Sequence, residues 1–464
     1  MSALLLSLLL LAAPARPAAT PRAPADADFA FFVPDFAAVA DLNPFLDAAG
    51  EHSGLFRRES FRNEVHPLLR VDFTRKESLL EAGIDPAGSG TLSYKGELTF
   101  SCVTLSDPKK YETACGERLK GLGAPWRKDL DGGSVVGAKD PLDRVLAGYV
   151  IRGKESCAIS GEGMSVDKPL LELSKLLGKQ PASPMWKNAA GLPGQATVVI
   201  PHLAIALRGS GLTLTSEFKS TMPAAKLTGA GPSPYAGTSY DGMLWARLRI
   251  DPAQLGPELA QLSVMLQRLC PTCDPAALGE AATALAPTLT GNTLLYISHV
   301  KVQGTLRNLT ARFFAHRGAV LAEASDPKAA RAVFENLAKM RGAKATDEGC
   351  AIALREGELR LGVHDSHVYA STDAAALQGL FRALPATGGK QAHGAEFAVD
   401  PERVAKALGQ VPVVDVLAVP ELAALLAASA EVGPLLLASE KMTGYADSDA
   451  NAAVRGQVVW TLRK

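Results

Sequence analysis

The hydrophobic and polar positions of the chain repeat one order of elements twice. An apolar run, Gly96–Leu105, precedes the tetrapeptide SDPK at Ser106–Lys109, and Ala319–Ala324 precedes the same tetrapeptide at Ser325–Lys328. Asp-Pro commonly opens a helix, because Asp accepts hydrogen bonds from the first free N–H groups and Pro is tolerated at the first helical position. The pattern therefore predicts a strand that leads into a helix at both places.

Both tetrapeptides are followed by apolar residues at the i, i+3, i+4 spacing of an amphipathic helix. Three short strand patterns and a second helix come next in each half. The strands are predicted at Ser134–Ala138, Ala147–Ile151 and Ser156–Ser160, and at Cys350–Leu354, Leu359–Val363 and His367–Ser371. The second helices are predicted at Pro169–Leu177 and Ala374–Leu384, and each half ends on a strand, Gly211–Lys219 or Gly456–Lys464.

This ordered recurrence predicts an α+β protein of two tandem related units. Each unit is expected to hold a mainly antiparallel sheet with amphipathic helices on one face. The units are predicted at 29–228 and 236–464, joined by a Gly/Pro linker at 229–235. Wider spacing in the second half predicts a helical insert at about 402–450, rich in Ala and Leu.

The first 28 residues are typical of an exported protein. Residues 1–19 hold an apolar run, Ala3–Ala13, followed by small residues, and this length fits a signal-peptide core better than a membrane span. Residues 20–28 are rich in Pro, Ala and Asp and are expected to form a flexible spacer. No later segment predicts a transmembrane helix, so a periplasmic or extracellular location is expected, with an uncleaved anchor as the alternative.

The six cysteines are the first candidates for chemistry, because an exported protein can hold disulfides. Cys270 and Cys273 form a C-x-x-C motif between two helical patterns, which favours a structural disulfide over a redox-active pair. Cys102, Cys115 and Cys157 fall in the first unit, where one pair is expected to be bridged. Their counterparts in the second unit are approximately Leu321, Phe334 and Val368, which are apolar.

Composition excludes some function classes and leaves the chemistry open. Lys+Arg and Asp+Glu both number 48, so no basic field predicts nucleic-acid binding. The metalloprotease, hydrolase-elbow, phosphate-loop and calcium-loop motifs do not occur, and no cofactor or metal site is predicted. His364 and His367 form the main histidine cluster, but residues three apart in a strand are expected on opposite faces, so a solvated turn is favoured over a metal site.

The order of elements resembles a class of exported bacterial proteins known as domains of unknown function. The features that carry the resemblance are the strand Phe29–Val33, the helical stretch Phe36–Leu46, the helix end Gly83–Pro86 and the SDPK helix with its hairpins. The resemblance implies an exported α+β protein, and it carries no catalytic residue over to this chain.

Together these observations favour a non-enzymatic binding or envelope-associated protein whose partner is a protein or an apolar ligand. The alternatives are an exported hydrolase with a site assembled from scattered residues, and a redox protein that uses Cys270 and Cys273. The three hypotheses differ in which groups should converge in space: an apolar groove, titratable side chains, or accessible thiols.

Overall fold

The computed structural model of the protein divides into two compact units, Met1–Met222 with Val459–Lys464, and Pro223–Val458. The residues that it describes are 27–57, 59, 65–130, 133–161, 164–177, 189, 192, 194–222, 225–270, 272–300, 316–354, 357–410, 430–449, 451 and 453–464. The predicted signal peptide, 1–19, lies outside the described residues, as does most of the predicted spacer.

In the part of the first unit that the structure describes, ten strands pair into an antiparallel sheet. Their bounds are β1 Phe29–Val33, β2 Gly90–Lys95, β3 Leu98–Thr104, β4 Ala124–Leu130, β5 Gly133–Lys139, β6 Val145–Arg152, β7 Glu155–Gly161, β8 Ala196–Ile200, β9 Leu203–Ser210 and β10 Thr213–Ser220. Pairing gives the order β4-β5-β6-β7-β3-β2-β1-β8-β9-β10. The predicted strands at 134–138, 147–151 and 156–160 are confirmed as β5, β6 and β7.

Among the described residues of this unit, five stretches are α-helical. They are α1 Phe36–Val39, α2 Asn43–His52, α3 Lys76–Glu81, α4 Pro108–Lys120 and α5 Asp167–Leu176. The first SDPK tetrapeptide begins a helix, as predicted. The Asp107 carboxylate accepts hydrogen bonds from the backbone N–H groups of Lys109 and Lys110 at the start of α4. Leu170 and Leu173 of α5 pack into the same apolar cluster as Val150.

The second unit holds its own antiparallel strands. Their bounds are β11 Gly231–Ser233, β12 Leu244–Arg249, β13 Leu289–Val300, β14 His316–Ala324, β15 Ala343–Thr346, β16 Gly349–Ala353, β17 Glu358–His364, β18 His367–Ser371, β19 Gly389–Gln391, β20 Ala395–Val399 and β21 Ser439–Ser448. The last strand, β22 Val454–Leu462, begins in the second unit and ends in the first. The main sheet runs in the order β15-β16-β17-β18-β14-β13-β12-β20-β21. Strands β11 and β19 pair with each other.

The α-helices that the structure describes in the second unit are α6 Leu255–Leu269, α7 Pro275–Leu285, α8 Pro327–Leu337, α9 Ala374–Ala383 and α10 Pro401–Leu408. The second SDPK begins α8, where the Asp326 carboxylate accepts from the backbone of Ala329. Residues 439–448, which fall in the predicted helical insert, form β21, because β21 pairs in register with β20 along five residues. Residues 411–429 of that insert lie outside the described residues.

Helices cover both faces of each sheet, which corrects the expectation of one covered face. Adjacent residues of β18 show this, because Val368 packs in a cluster with α7 and α8 whereas Tyr369 packs in a cluster with α9. In the first unit Val150 packs with α5, and its neighbour Tyr149 contacts Tyr111 of α4. Successive strand residues point to opposite faces, so each sheet is buried on both sides.

The Gly/Pro segment predicted as a linker at 229–235 is part of the second unit. Gly231–Ser233 forms β11 and pairs with β19, and the side chain of Tyr235 is fully buried. Arg249 approaches Gly231 so closely that a Cβ there would lie 2.5 Å from its guanidinium. A side chain at position 231 would therefore displace the Arg249 guanidinium, and the chain passes into the second unit at Pro223.

The strands of the two sheets follow one another in the same order when the sheets are aligned with β3 opposite β14. In this alignment β7, β2, β1 and β8 correspond to β18, β13, β12 and β20. Cross-strand neighbours also correspond along a complete row. The first sheet reads Val199, Ala30, Ser93, Phe100 and Ile159, and the second reads Ala398, Trp245, Tyr296, Ala319 and Ser371. We call this set the matched row. Its members share one face of their sheet, since directly paired residues point the same way.

Candidate functional site

A pocket in the second unit lies where three strands meet at one end of the sheet. It has a volume of about 240 Å³. It is lined by the start of β12, the end of β20, the start of β21 and the segment that precedes β12, which supply Ser239, Tyr240, Asp241, Gly242, Trp245, Ala398, Val399, Asp400, Glu440 and Lys441. Because Ala398 and Val399 are adjacent in one strand and both line it, the pocket spans the end of the sheet.

Two aromatic side chains form the most deeply set part of the lining. Trp245 and Tyr240 are 9% and 6% exposed, and their rings meet edge to face with centroids 5.9 Å apart. The Arg247 guanidinium lies 4.7 Å from the centre of the Trp245 ring, in cation–π contact. Burial raises the pKa of Tyr240 to about 12, so its hydroxyl is neutral and donates to the Tyr235 carbonyl oxygen.

Arg247 holds the chain segment that carries the pocket lining. Its Nη1 donates to the carbonyl oxygens of Tyr235 and Thr238, at 3.0 and 3.3 Å. Its Nη2 forms a 2.9 Å ion pair with Glu396, its direct partner across β12 and β20. Both side chains are largely buried, so this pair fixes residues 235–238 against the sheet.

A second arginine joins two acidic residues of the wall. Arg403 Nη2 lies 2.5 Å from Asp241 Oδ1, and Arg403 Nε lies 3.2 Å from Asp400 Oδ2. Asp400 also caps α10 by accepting from the Arg403 backbone at 3.1 Å. The positive charge of one guanidinium is therefore shared by both carboxylates.

Gly242 allows the closest approach in the wall. A Cβ at this position would lie 2.5 Å from Cε2 of Tyr296. With glycine there, the Tyr296 hydroxyl donates to the Asp241 carbonyl oxygen at 2.6 Å. The aromatic frame of the pocket is thus Tyr240 and Trp245, and Tyr296 packs behind Gly242.

The matched row shows that this aromatic frame distinguishes the second unit from the first. Trp245 and Tyr296 stand where the first sheet has Ala30 and Ser93. In the first unit Ala30 belongs to a small apolar cluster with Ala27, Val199 and Ala204, and Ala30 is fully buried. The same end of the strand pair is therefore filled by small side chains in one sheet and bordered by aromatic rings in the other.

The histidine cluster occupies a two-residue hairpin turn. His364 and His367 are direct cross-strand partners, so they lie on the same face, and the expectation of opposite faces is wrong for residues on either side of such a turn. His364 Nδ1 lies 2.5 Å from Glu348 and its ring stacks on Phe381. His367 Nδ1 lies 3.1 Å from the Tyr235 hydroxyl.

Electrostatics at the hairpin act on His367 in opposing directions. Burial lowers its pKa, and the carboxylates of Glu323 and Asp365 act to raise it. Among the residues that the structure describes, no group of three His, Cys, Asp or Glu side chains is arranged to hold a metal ion.

A third histidine, His393, is fixed in the same unit by an acidic neighbour that sequence analysis did not single out. Its Nδ1 lies 2.8 Å from Asp447 Oδ2, and its ring stacks on Tyr445 at 3.7 Å between centroids. Asp447 Oδ1 also accepts from the Gly394 backbone at 2.6 Å. The imidazole is therefore oriented by a carboxylate, with about one third of the side chain exposed.

The first unit buries a polar cluster of its own. His66 Nδ1 accepts from the backbone N–H groups of Leu68 and Leu69, so the proton lies on Nε2, which donates to the Tyr111 hydroxyl at 3.0 Å. Burial lowers the pKa of His66 to about 3. Burial also raises the pKa of Tyr111, so both groups are neutral.

The structure places the candidate cysteines as two pairs at disulfide distance. Cys270 and Cys273 are bonded, and so are Cys102 and Cys157. The latter are direct partners across β3 and β7, at the place where the second sheet has Leu321 and Tyr369 rather than the expected Val368. Cys115 is buried on the opposite face of the sheet, beside Tyr111.

Burial also governs the two remaining thiols. It raises the pKa of Cys115 to about 12 and that of Cys350 to about 11. Both thiols are thus protonated at neutral pH and shielded from solvent.

Comparison with known proteins adds little to this geometry. No protein-family model matches the chain, and no curated protein matches its sequence. A solved structure titled "Structure of crystal form I of TP0453" covers 77% of this chain and 94% of that chain at 10% identity. Its TM-score is 0.22, which is too low to carry an argument about fold or function. No helix among the described residues is long and apolar enough to cross a membrane.

Proposed function

We propose that the protein is an exported, non-enzymatic binding protein, and that its ligand occupies the pocket of the second unit. The observation that carries this proposal is the aromatic frame of Tyr240 and Trp245 in a cavity with charged walls. Small-molecule sites in proteins typically combine an apolar or aromatic lining with a few placed polar groups.

Export is supported by two independent features. The apolar run at the chain start has the length of a signal-peptide core. Two cysteine pairs are at disulfide distance, and disulfides persist in oxidising compartments such as the periplasm and the extracellular space. A periplasmic or secreted location agrees with both.

We also propose that the two units arose by duplication of one α+β unit. The shared strand order and the matched row support this, as do equivalent bonds at the two SDPK helices. The Gly83 carbonyl oxygen accepts from Ser106 and Asp107, and the Thr288 carbonyl oxygen accepts from Ser325 and Asp326. On this view the first unit retains the scaffold and the second has gained the pocket.

A pocket-filling variant tests the binding function. Ala398→Leu adds bulk to the lining, and Ala345→Leu makes the same change at an exposed position of β15. Amino acids, dipeptides, sugars and fatty acids are screened by thermal shift, because a ligand that binds only the folded protein raises its melting temperature. We expect a shift in the wild type and in Ala345→Leu that is absent in Ala398→Leu. No shift with any compound, or equal shifts in all three proteins, would overturn the proposal.

The redox alternative is not favoured by the position of its cysteines. Cys270 and Cys273 are 1% and 7% exposed and belong to the apolar cluster around Phe334. Thiol–disulfide exchange requires access for an attacking thiolate. A structural role for this pair is the better-supported proposal.

The hydrolase alternative has one supporting observation, the His393–Asp447 pair. A carboxylate that orients an imidazole is a recurring part of general-base catalysis. Hydrolysis of p-nitrophenyl acetate by the wild type and by His393→Gln tests it. Equal rates in the two proteins would exclude His393 as a base, and a large loss of rate in the variant would favour the hydrolase over the binding protein.

A further inference from the structure

We infer that the wall of the pocket is coupled to the protonation of His367, and that the wall seen here belongs to the neutral form of this histidine. As a means of regulating the pocket, this coupling rests on the proposed binding function. One residue makes the connection, because the hydroxyl of Tyr235 reaches His367 and its carbonyl oxygen reaches two side chains at the pocket.

The histidine end of the connection is one hydrogen bond. Tyr235 Oη lies 3.1 Å from His367 Nδ1, and the Tyr235 side chain is fully buried. Burial raises the pKa of Tyr235, so its hydroxyl is neutral. Within the part of the chain that the structure describes, His367 is the hydroxyl's hydrogen-bond partner, and a buried O–H needs an acceptor. The hydroxyl therefore donates to Nδ1, and the imidazole proton lies on Nε2.

The groups around His367 act on its charge in both directions. Burial is the largest influence and lowers its pKa, Glu323 on β14 and Asp365 in the turn act to raise it, and His364 on β17 acts to lower it. The Glu323 carboxylate also accepts hydrogen bonds from two side chains of β13. Because burial dominates, the ring is neutral at pH 7 and takes up its proton only below pH 6.5.

Protonation changes Nδ1 from an acceptor into a donor. The Tyr235 hydroxyl then has to turn and accept, which leaves its own hydrogen without an acceptor in the interior. The Tyr235 ring packs in the apolar cluster that also holds Leu321 and Leu377, so it cannot reach water while its backbone stays in place. The unfavourable contact is therefore relieved by movement of the chain at Tyr235.

The pocket end of the connection is the Tyr235 carbonyl oxygen. It accepts from Arg247 Nη1 at 3.0 Å and from the Tyr240 hydroxyl at 3.3 Å. Both donors contact Trp245, because the Arg247 guanidinium lies 4.7 Å from its ring centre and the Tyr240 ring meets it edge to face. Movement at Tyr235 thus changes the surroundings of both aromatic residues of the frame, and mild acid loosens the wall.

Fluorine NMR of the full chain labelled with 5-fluorotryptophan tests the inference, with Trp245 as the reporter. The chain has four tryptophans, and the Trp245 resonance is the one that disappears in Trp245→Phe. Between about pH 8 and about pH 5 we expect this resonance to move in the wild type, with a midpoint below pH 6.5. Tyr235→Phe keeps the histidine and removes the hydroxyl, so the movement should be lost.

Two histidine variants assign the movement to one residue. His367→Gln should also abolish it. His299→Gln, the same change at an exposed position of β13, is the matched control and should leave it unchanged. A resonance that does not move in the wild type, that moves equally in Tyr235→Phe, or that stops moving in His299→Gln would overturn the inference.

The outcomes separate this inference from the proposed function. If the movement depends on Tyr235 and His367 but no compound binds, the coupling stands and the proposed function fails. If a compound binds the wild type but not Ala398→Leu, and the Trp245 resonance does not move with pH, the function stands and the inference fails.

Discussion

The two units share an order of strands and differ in what stands at corresponding positions. Along the matched row, Ala30 and Ser93 of the first unit correspond to Trp245 and Tyr296 of the second. The strands pair in the same order in both, although β13 and β14 pair with two register shifts that β2 and β3 lack, and the members of the row differ in side-chain volume and polarity. An antiparallel sheet is held by its ladder of backbone hydrogen bonds, which leaves the side chains at a strand end free to vary.

The hairpins between β6 and β7 and between β17 and β18 differ in the same way. The first is closed by Arg152 and Glu155, and the second by His364 and His367. Both turns need a positive φ, which Gly153 supplies in one and Asp365 in the other. The same kind of turn thus carries an Arg–Glu pair in one unit and a His–His pair in the other.

The largest expected difference between the units concerns their disulfides. Cys102 and Cys157 are 55 residues apart in sequence, and Cys270 and Cys273 are three apart. In the chain-entropy model, replacing both cysteines by alanine lowers the free energy of unfolding by about 4 kcal/mol for the long loop and about 2 kcal/mol for the short one. Native-state hydrogen exchange of each unit measures both losses, and equal losses would contradict this account.

The second largest effect is expected in acid, which should destabilise the first unit through His66. The folded state keeps His66 neutral, whereas the unfolded chain takes up a proton below pH 6.5. The stabilisation is complete above pH 6.5, and it declines as the pH falls towards 3. At pH 4 the loss is about 3 kcal/mol.

Hydrogen exchange at pH 7 and pH 4 checks this prediction on the whole protein. The variant His66→Asn lacks the titrating ring, so the step that His66 contributes should disappear from the pH dependence of its first unit. An identical pH dependence in the variant and the wild type would show that other groups control acid unfolding.

Removing the hydroxyl group of Tyr111 should lower the free energy of unfolding by a smaller amount. Tyr111→Phe leaves the Nε2–H of His66 buried without its acceptor, at a cost of about 1–3 kcal/mol in unfolding free energy. Tyr149→Phe is the matched control, because Tyr149 is equally buried. Urea unfolding monitored by circular dichroism measures both, and a cost for Tyr149→Phe as large as that for Tyr111→Phe would argue against the His66 bond as the cause.

Replacing the hairpin pair His364 and His367 should change the free energy of unfolding least. The double variant His364→Arg with His367→Glu installs the closing pair of the first unit, with an expected change at pH 7 of less than about 1 kcal/mol. Below pH 6.5 the wild-type hairpin should weaken more than the variant, because burial lowers the pKa of His367 and opposes its protonation. Amide exchange rates of β17 and β18 report this, and equal acid sensitivity would contradict it.

Much of the fold could be predicted from the sequence, because its signals are local. Asp107 and Asp326 cap helices through contacts within three residues, and the strands β5–β7 and β16–β18 follow from short apolar patterns. The edge strands β4 and β15 were not predicted, since their residues are mostly exposed and lack an apolar pattern. The helices on both faces were predicted, but their placement on opposite faces was not, because it depends on which side of the sheet each helix packs against.

The candidate site could not be predicted in the same way. Tyr240, Ala398 and Lys441 come from three distant parts of the chain, and only strand pairing brings them together. The pairing of Cys102 with Cys157 likewise follows from the register of β3 and β7. The histidine hairpin was visible as a cluster, but its shared face follows from the two-residue turn.

By itself, the sequence determined the helix starts, most strand positions and the recurrence of one element order, because these depend on neighbours along the chain. Only the tertiary structure decided the pocket, the pairing of Cys102 with Cys157 and the position of Ala30 and Trp245 in one row. These features depend on register and on contacts between distant segments, which local hydrophobic patterns do not encode.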